Sequence, residues 1–507
     1  MKYLICFNLL LLSIVALSQS TTSELTTAYG RYTVGYYHKT LHDSSRTYSR
    51  ITDIGPGGMP RPIPLSVWYP SSSSIDGKHL SLADYLQIHA AEREWERLPA
   101  DQFLNWFSYQ NTAQNRSRLA WKTKASRDLS PANGKFPIVI YTPGLEGTSI
   151  ENFAICELLA SHGFVVLAYP SRGTDSMFPD MASLKDILTQ TRDLEFVMSK
   201  AVNLVYANEE KIAVMGFSFG GMAGVLAQMK NNNIDAVVSL DGSIRYQYDK
   251  IRSSAYFDIT RANVPFIHFA QKDIPNEILK SDGIDPALNT EFIFYDELRY
   301  SEAYALKLHH LTHMNFNAMA ILLGSRDTRQ DKSDVKIVAS YKIVSTYVLQ
   351  FLNAYLKNQE SSLAFMTMSP PEHGFSEKIL SFDHKDAISS PYTFKDFNET
   401  AQIHGYSHLP ALYDSVKSTD PGFFIKEGTL NTLALKWLYN SDRPDYGIAV
   451  LQFAVTLYPQ SSNLFDSLGE GYLVVSDETR AIVSFRKAVT LDPNNHNSKS
   501  RLVQLKK

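Results

Sequence analysis

Cysteine is nearly absent: the 507 residues hold two, Cys6 and Cys156. That count excludes a disulfide-stapled scaffold and a cysteine-ligated metal site. A large excess of charge of one sign is missing as well, with 49 Lys and Arg against 52 Asp and Glu and a formal net charge of −3. No global basic field exists to draw in nucleic acid or anionic lipid. Glycine and proline are too few, at 25 and 22, for a collagen-like or low-complexity chain. What is there is an ordinary globular composition, 44% apolar, 12% aromatic and 20% charged. At ~150 residues per domain, the chain is long enough for about three domains and several cores.

One apolar run stands apart. Met1-Lys2 gives a short positive start, Leu4 to Leu17 is broken only by Asn8 and Ser13, and Ala16-Leu17-Ser18 is a small-x-small cleavage pattern. The run falls short of the ~20 residues of a membrane span. Residues 1–18 therefore read as a cleavable signal peptide, the mature chain as secreted or periplasmic, with no transmembrane segment. Cys156 is then the one cysteine left; in Phe153–Leu159 it reads as a buried helical thiol.

From Arg31 to about Gln359, short β-branched runs alternate with longer helical stretches. Expected strands are Tyr32–Tyr37, Pro64–Tyr69, Pro137–Thr142, Phe164–Tyr169, Lys211–Gly216, Ala236–Leu240, Pro265–Ala270 and Ala303–Leu308. The middle ones are almost wholly apolar, as parallel strands covered on both faces must be. Expected helices include Ile150–Ser161, Leu184–Ala207, Phe219–Lys230 and a closing Lys336–Lys357. The pattern predicts an α/β fold, a doubly wound and mostly parallel sheet, over residues 19–366. An insertion at about 71–131 opens with Ser71–Ser74 and holds a charged amphipathic helix, Leu82–Leu98. It reads equally as a lid and as a decoration of the sheet edge. Residues 367–427 carry many breakers and little periodicity, and read as a connector.

The last segment, 428–507, is helical and repetitive. At an offset of 34, Ile448, Ala454, Val455, Thr456, Leu457 and Pro459 fall on Ile482, Ala488, Val489, Thr490, Leu491 and Pro493. Within the second copy, Phe465, Leu468, Gly469, Tyr472, Ala481, Phe485, Ala488 and Pro493 keep the aromatic-x2-Leu-Gly-x2-Tyr, Ala-x3-Phe, Ala, Pro order. This resembles the tetratricopeptide family, whose period is about 34 residues. The first copy is degenerate, and Ser498–Lys507 reads as a capping helix. So short an array is expected to pack on the preceding domain, on a protein partner or on a second copy of itself.

The chemistry is carried by Gly216-Phe217-Ser218-Phe219-Gly220-Gly221, which follows the buried run Lys211–Met215 and precedes a helical stretch. Strand, Gly-x-Ser-x-Gly, helix puts the serine on a strained tight turn, with glycines where side chains would clash. A serine nucleophile needs a base, and the base an orienting acid, in the chain order Ser, acid, His. Asp241 ends the next strand and is favoured as the acid. Asp273 ends the one after it and stays in competition, since Lys272 and Pro275 suit a solvated loop equally well. Among the downstream histidines, His268 falls inside a strand, where a core histidine is the default. His313 follows the last strand of the domain and is favoured as the base. His309, His310 and His313 lack partner carboxylates at metal-ligand spacing, so no metal is expected. The turn Pro143–Gly147 supplies the second oxyanion amide; Leu145 and Phe219 N–H are the assignment, an ordinary strand-to-helix turn the alternative.

Six stretches, Pro64–Pro70, Pro143–Gly147, Leu159–Phe164, Gly216–Gly221, Ala236–Asp241 and His313–Phe316, together resemble the α/β-hydrolase superfamily. The likeness is to the group around platelet-activating factor acetylhydrolase and the dienelactone hydrolases. That resemblance implies Ser218 as nucleophile, Asp241 as acid, His313 as base, and Leu145 and Phe219 as oxyanion donors. It further implies hydrolysis of short-chain or lipid-like acyl esters without a cofactor. A serine peptidase of the same fold and an inert binding protein using the helical repeats are the alternatives.

Overall fold

The computed structural model describes residues 25–50, 58–73, 79–94, 102–106, 109–180, 183–388 and 392–505. The expected signal peptide lies outside the described residues, as does the end of the helix expected at Leu82–Leu98.

The described strands are β1 (Thr33–Tyr48), β2 (Met59–Ser71), β3 (His79–Ser81), β4 (Lys122–Arg127), β5 (Phe136–Thr142), β6 (Val165–Ala168), β7 (Ala207–Phe217), β8 (Ala236–Leu240), β9 (Phe266–Ala270), β10 (Ala303–Leu308) and β11 (Leu380–Lys385). They form one sheet in the order β11-β10-β9-β8-β7-β5-β6-β2-β1-β4-β3. From β10 to β6 the strands run parallel; β11, β2 and the pairing of β1 on β2 are antiparallel. The order reverses direction of growth around β5, and β7 lies beside it, near the middle of the sheet.

Alternation along the strands sets the two faces. In β5, Val139 and Tyr141 enter one core and Ile138 and Ile140 the other; in β7, Ala213 and Met215 oppose Ile212 and Val214. The main helices of the sheet domain are α1 (Leu82–Glu92), α2 (Phe153–Ser161), α3 (Leu184–Ala201), α4 (Phe219–Lys230) and α5 (Val335–Lys357). The first core is covered by α2 and α5, the second by α3 and α4. Cys156 is buried within α2. Among the described residues, α5 is the helix long and apolar enough to cross a membrane, and Tyr341, Val344, Tyr347, Val348 and Phe351 bury it in the first core.

One expectation is corrected, and one left open takes the second of its two readings. The segment 367–427 is not a bare connector: β11 pairs antiparallel with β10, so the sheet extends past residue 366. Its sequence, Leu-Ser-Phe-Asp-His-Lys, is that of an edge strand, where charge on the exposed positions is tolerated and masks the pattern. The same segment holds α6 (Phe394–His404) and α7 (Leu409–Thr419). The insertion, for its part, lays β4 beside β1 and β3 beside β4, while α1 buries Leu82, Tyr85 and Leu86. It extends the sheet edge, and the end of α1 reaches further, as described below.

The C-terminal helices are α8 (Glu427–Asn440), α9 (Pro444–Leu457), α10 (Ser462–Val474), α11 (Glu478–Leu491) and α12 (His496–Gln504), with a third core of their own. Small residues allow the close approach inside each pair: a Cβ on Gly469 would lie 2.5 Å from the Phe485 ring, and one on Gly447 2.5 Å from Leu438. The unit docks on the sheet domain at the far end of α4. Buried Lys426 donates to the Gln228 carbonyl, the Asn232 amide donates to Thr429 Oγ1 at 2.6 Å, and Lys436 pairs with Glu209 at 2.6 Å. The Arg261 guanidinium stacks on Phe424, 3.7 Å from the ring centre.

Candidate active site

Between the end of β7 and the start of α4 stands one residue, Ser218, at φ +51° and ψ −120°. A non-glycine residue held there stores strain of about 1–3 kcal/mol, retained because strand and helix on either side dictate the turn. The turn is too tight for side chains beside it. A Cβ on Gly220 would fall 2.2 Å from the Thr142 carbonyl oxygen, and one on Gly216 2.5 Å from the Gly220 carbonyl oxygen.

Ser218 Oγ lies 2.9 Å from His313 Nε2, and His313 Nδ1 lies 2.6 Å from Asp241 Oδ2. His313 opens a short turn after β10, and its ring stacks on Phe217 with centroids 5.0 Å apart. Asp241 directly follows β8 at φ +42°, fully buried; its N–H donates to the Phe269 carbonyl at 2.7 Å. Its second oxygen accepts from the Gln271 N–H at 3.0 Å, while Gln271 Oε1 accepts from the His313 N–H, also at 3.0 Å. Both sides of the acid–histidine contact are thereby fixed.

The competing aspartate is elsewhere. Asp273 pairs with Lys307, and its side chain is 68% exposed. His268 points into the second core with Nδ1 2.9 Å from Ser239 Oγ, and burial pushes it down to about 3, so it stays neutral. His309 meets Ser381 Oγ at 2.7 Å on the β11 side. Away from the serine, Glu302, His384 and Asp386 bring one ligand atom each within 4.8 Å of one another.

The turn Pro143–Gly147 leaves β5 and lies directly on the serine: a Cβ on Gly144 would come within 3.4 Å of Ser218 Cβ. Its curvature comes from Glu146 at φ +54° and a Gly147 N–H to Gly144 carbonyl bond of 2.8 Å. The Leu145 and Phe219 amides donate to no protein acceptor among the described residues. Phe219 N–H belongs to the first helical turn, which leaves its amides unpaired. The insertion touches this turn, for Arg93 at the end of α1 donates to the Glu146 carbonyl at 2.6 Å.

Sequence reasoning passes over Gln271, Glu151 and Asn152. Gln271 stands one residue past the end of β9, the strand edge from which sites of such sheets are built, and that position is its signal. Glu151 and Asn152 fall in the first turn of the helix expected at Ile150–Ser161 and read there as ordinary N-terminal residues, whereas the helix begins at Phe153.

Two family profiles match the sequence: the dienelactone hydrolase family over residues 126–304, and platelet-activating factor acetylhydrolase, isoform II, over residues 20–181. Leu145 falls inside both, Ser218 and Asp241 inside the first, and His313 inside neither. No curated protein matches the chain. Among solved structures, a ferulic acid esterase from Streptomyces cinnamoneus aligns at a TM-score of 0.52 and 18% identity, covering 71% of this chain and 98% of that one. The likeness to that esterase is one of fold, an α/β-hydrolase arrangement, and each profile covers about a third of the chain.

Proposed function

We propose that this chain, an α/β-hydrolase in fold, is a serine ester hydrolase. The observation that carries the reading is the relay of contacts from Ser218 through His313 to Asp241, 2.9 Å and 2.6 Å, beside the Leu145 and Phe219 amides, which have no protein acceptor among the described residues. The profile matches to a hydrolase and an acetylhydrolase favour esters as substrates.

In this scheme Ser218 Oγ attacks the acyl carbon as its proton passes to His313 Nε2. Asp241 keeps Nδ1 protonated and stabilises the imidazolium. The Leu145 and Phe219 amides hold the oxyanion, an interaction worth about 10²–10³ in rate per donor. Collapse breaks the ester C–O bond, and the leaving alcohol takes the proton from His313. A water then attacks the acyl-enzyme, giving its proton to His313, and the carboxylic acid departs as Ser218 is reprotonated. The scheme calls on no cofactor. Short-chain or lipid-like acyl esters are the substrate class.

Two further parts complete the reading. Residues 1–18 direct export, on the Lys2 start, the apolar run and the Ala16-Leu17-Ser18 pattern. The helices from Glu427 onward form a tetratricopeptide-like module, on the 34-residue offset and the glycine-to-ring packing of Gly469 on Phe485.

A panel of p-nitrophenyl esters from acetate to palmitate, run beside peptide anilides, tests the function. Ester turnover that disappears in Ser218→Ala is expected. Cleavage of anilides alone would make the chain a peptidase, and turnover of neither by folded protein would make it a binding protein.

A further inference from the structure

We propose that Glu151 is a positioning residue for this ester chemistry. Its carboxylate grips the turn that carries the Leu145 amide and, with Asn152, sets that turn against the segment that carries His313. The proposal rests on the reading of Ser218 and His313 given above.

Glu151 is buried, and the protein groups bonded to its carboxylate are all donors. Oε1 accepts from the Tyr141 hydroxyl at 2.6 Å and from the Gly144 N–H at 3.0 Å; Asn317 Nδ2 stands 3.4 Å from Oε2, and the Thr148 amide also donates to the group. These donors come from the end of β5, from both flanks of the Gly144–Gly147 turn, and from the chain just past His313. The turn is moulded on the carboxylate, for a Cβ on Gly147 would meet Oε2 at 2.5 Å. Gly144, the residue held, immediately precedes Leu145.

Asn152 completes the link. It occupies the N-cap of α2 yet makes no capping bond to that helix. Instead its Nδ2 donates to the Phe316 carbonyl at 2.7 Å and its Oδ1 accepts from the Ala318 N–H at 3.1 Å. The Glu151 carbonyl accepts from the Met319 N–H at 3.1 Å. Two adjacent residues thus fasten the amide-bearing turn to the histidine-bearing turn.

Such a group is costly to bury. Burial pushes the Glu151 carboxyl up to about 7 against the pull of the Tyr141 hydroxyl, the Gly144 amide and the nearby His313. The donors around it offset only part of that desolvation. What the carboxylate supplies is a fixed acceptor for an amide beside the reacting carbonyl, the preorganisation on which oxyanion stabilisation depends.

Glu151→Gln turns an NH₂ towards one of these donors. Asn317 cannot rotate to receive it, because its Oδ1 already accepts from the Ala320 N–H at 3.0 Å. The expected result for ester hydrolysis is a kcat lowered about 100-fold with KM within about threefold, and an affinity for a boronic-acid analogue lowered by the same factor as kcat. The control is Glu157→Gln. Glu157 is equally buried and accepts from the Lys124 and Ala125 amides and the Tyr85 hydroxyl, remote from Ser218. It should lose stability and keep kcat. Where Glu151→Gln does not fold, Tyr141→Phe removes one donor from the same carboxylate and should lower kcat about tenfold at constant KM. Wild-type kcat in folded Glu151→Gln or Tyr141→Phe, or an equal loss in Glu157→Gln, overturns the proposal. Activity retained in Ser218→Ala would instead overturn the reading of the site beneath it.

Discussion

Asp241 Oδ2 lies 2.6 Å from His313 Nδ1, whereas Asp273, the aspartate at the end of the neighbouring strand, is drawn out to Lys307. Replacing the acid by Asn keeps its shape and leaves the imidazole in the wrong tautomer. In the serine-protease template that change costs about 10⁴ in turnover. We expect a loss of that order in Asp241→Asn and less than tenfold in Asp273→Asn, read as kcat on one ester. A large loss at Asp273 alone would reverse the assignment.

The elbow glycines give a second prediction. In Gly220→Ala the new methyl would meet the carbonyl oxygens of Thr142 and Pro143 at 2.2 and 2.6 Å, both backbone atoms that cannot rotate away. Relief requires α4 to separate from the turn after β5. The variant is expected to lose about 3 kcal/mol in denaturant unfolding and most of its labelling by an active-site probe. Wild-type stability would show the turn to be looser than described.

pH dependence follows from the buried carboxylates. Burial raises Glu157 from 4.5 to about 7, despite the Lys124 amide and the Tyr85 hydroxyl, which pull it down. Between those pH values the unfolded chain carries this group ionised and the folded chain carries it protonated. Its contribution to stability is therefore present at low pH, falls as pH rises from about 4.5 to about 7, and is level above that. Glu157→Gln removes the titration. Denaturation at pH 5 and pH 7.5 should show the stability gap between wild type and variant narrowing by roughly 2–3 kcal/mol. A gap that does not change with pH contradicts the shift.

The place of β11 sets where the chain divides. A truncation at residue 366 removes β11 and leaves β10 as a bare, largely apolar edge, a template for aggregation. A truncation at 388 keeps β11 and every residue assigned to the chemistry. We expect the longer form to react with a small active-site probe and the shorter one to precipitate, checked by size-exclusion chromatography and labelling. Equal solubility of the two would show that β11 does not protect the sheet.

What the sequence disclosed depends on how local the determinant is. The strands Ala236–Leu240 and Ala303–Leu308 and the helix Phe219–Lys230 appear at the expected bounds, because burial writes a mostly apolar run. The serine elbow was legible for the same reason, since strand, tight turn and helix are contiguous. Strands outside the parallel centre were not: Lys122–Arg127, paired on both sides, and the edge strand Leu380–Lys385 carry charge that reads as loop until a neighbour is present. The choice between Asp241 and Asp273 is a matter of distance to His313, and both follow a strand in the sequence. Glu151 was illegible because its partners, Tyr141, Gly144, Thr148 and Asn317, converge only after the sheet has formed.

The most direct measurement is the site of covalent modification by a fluorophosphonate, mapped by mass spectrometry on the full-length protein. The account predicts a single adduct on the Ser218 hydroxyl, absent in Ser218→Ala and slowed in Asp241→Asn, with ester turnover lost in proportion to labelling. Folded protein that stays unlabelled, or that hydrolyses esters while Ser218 remains unmodified, would contradict it.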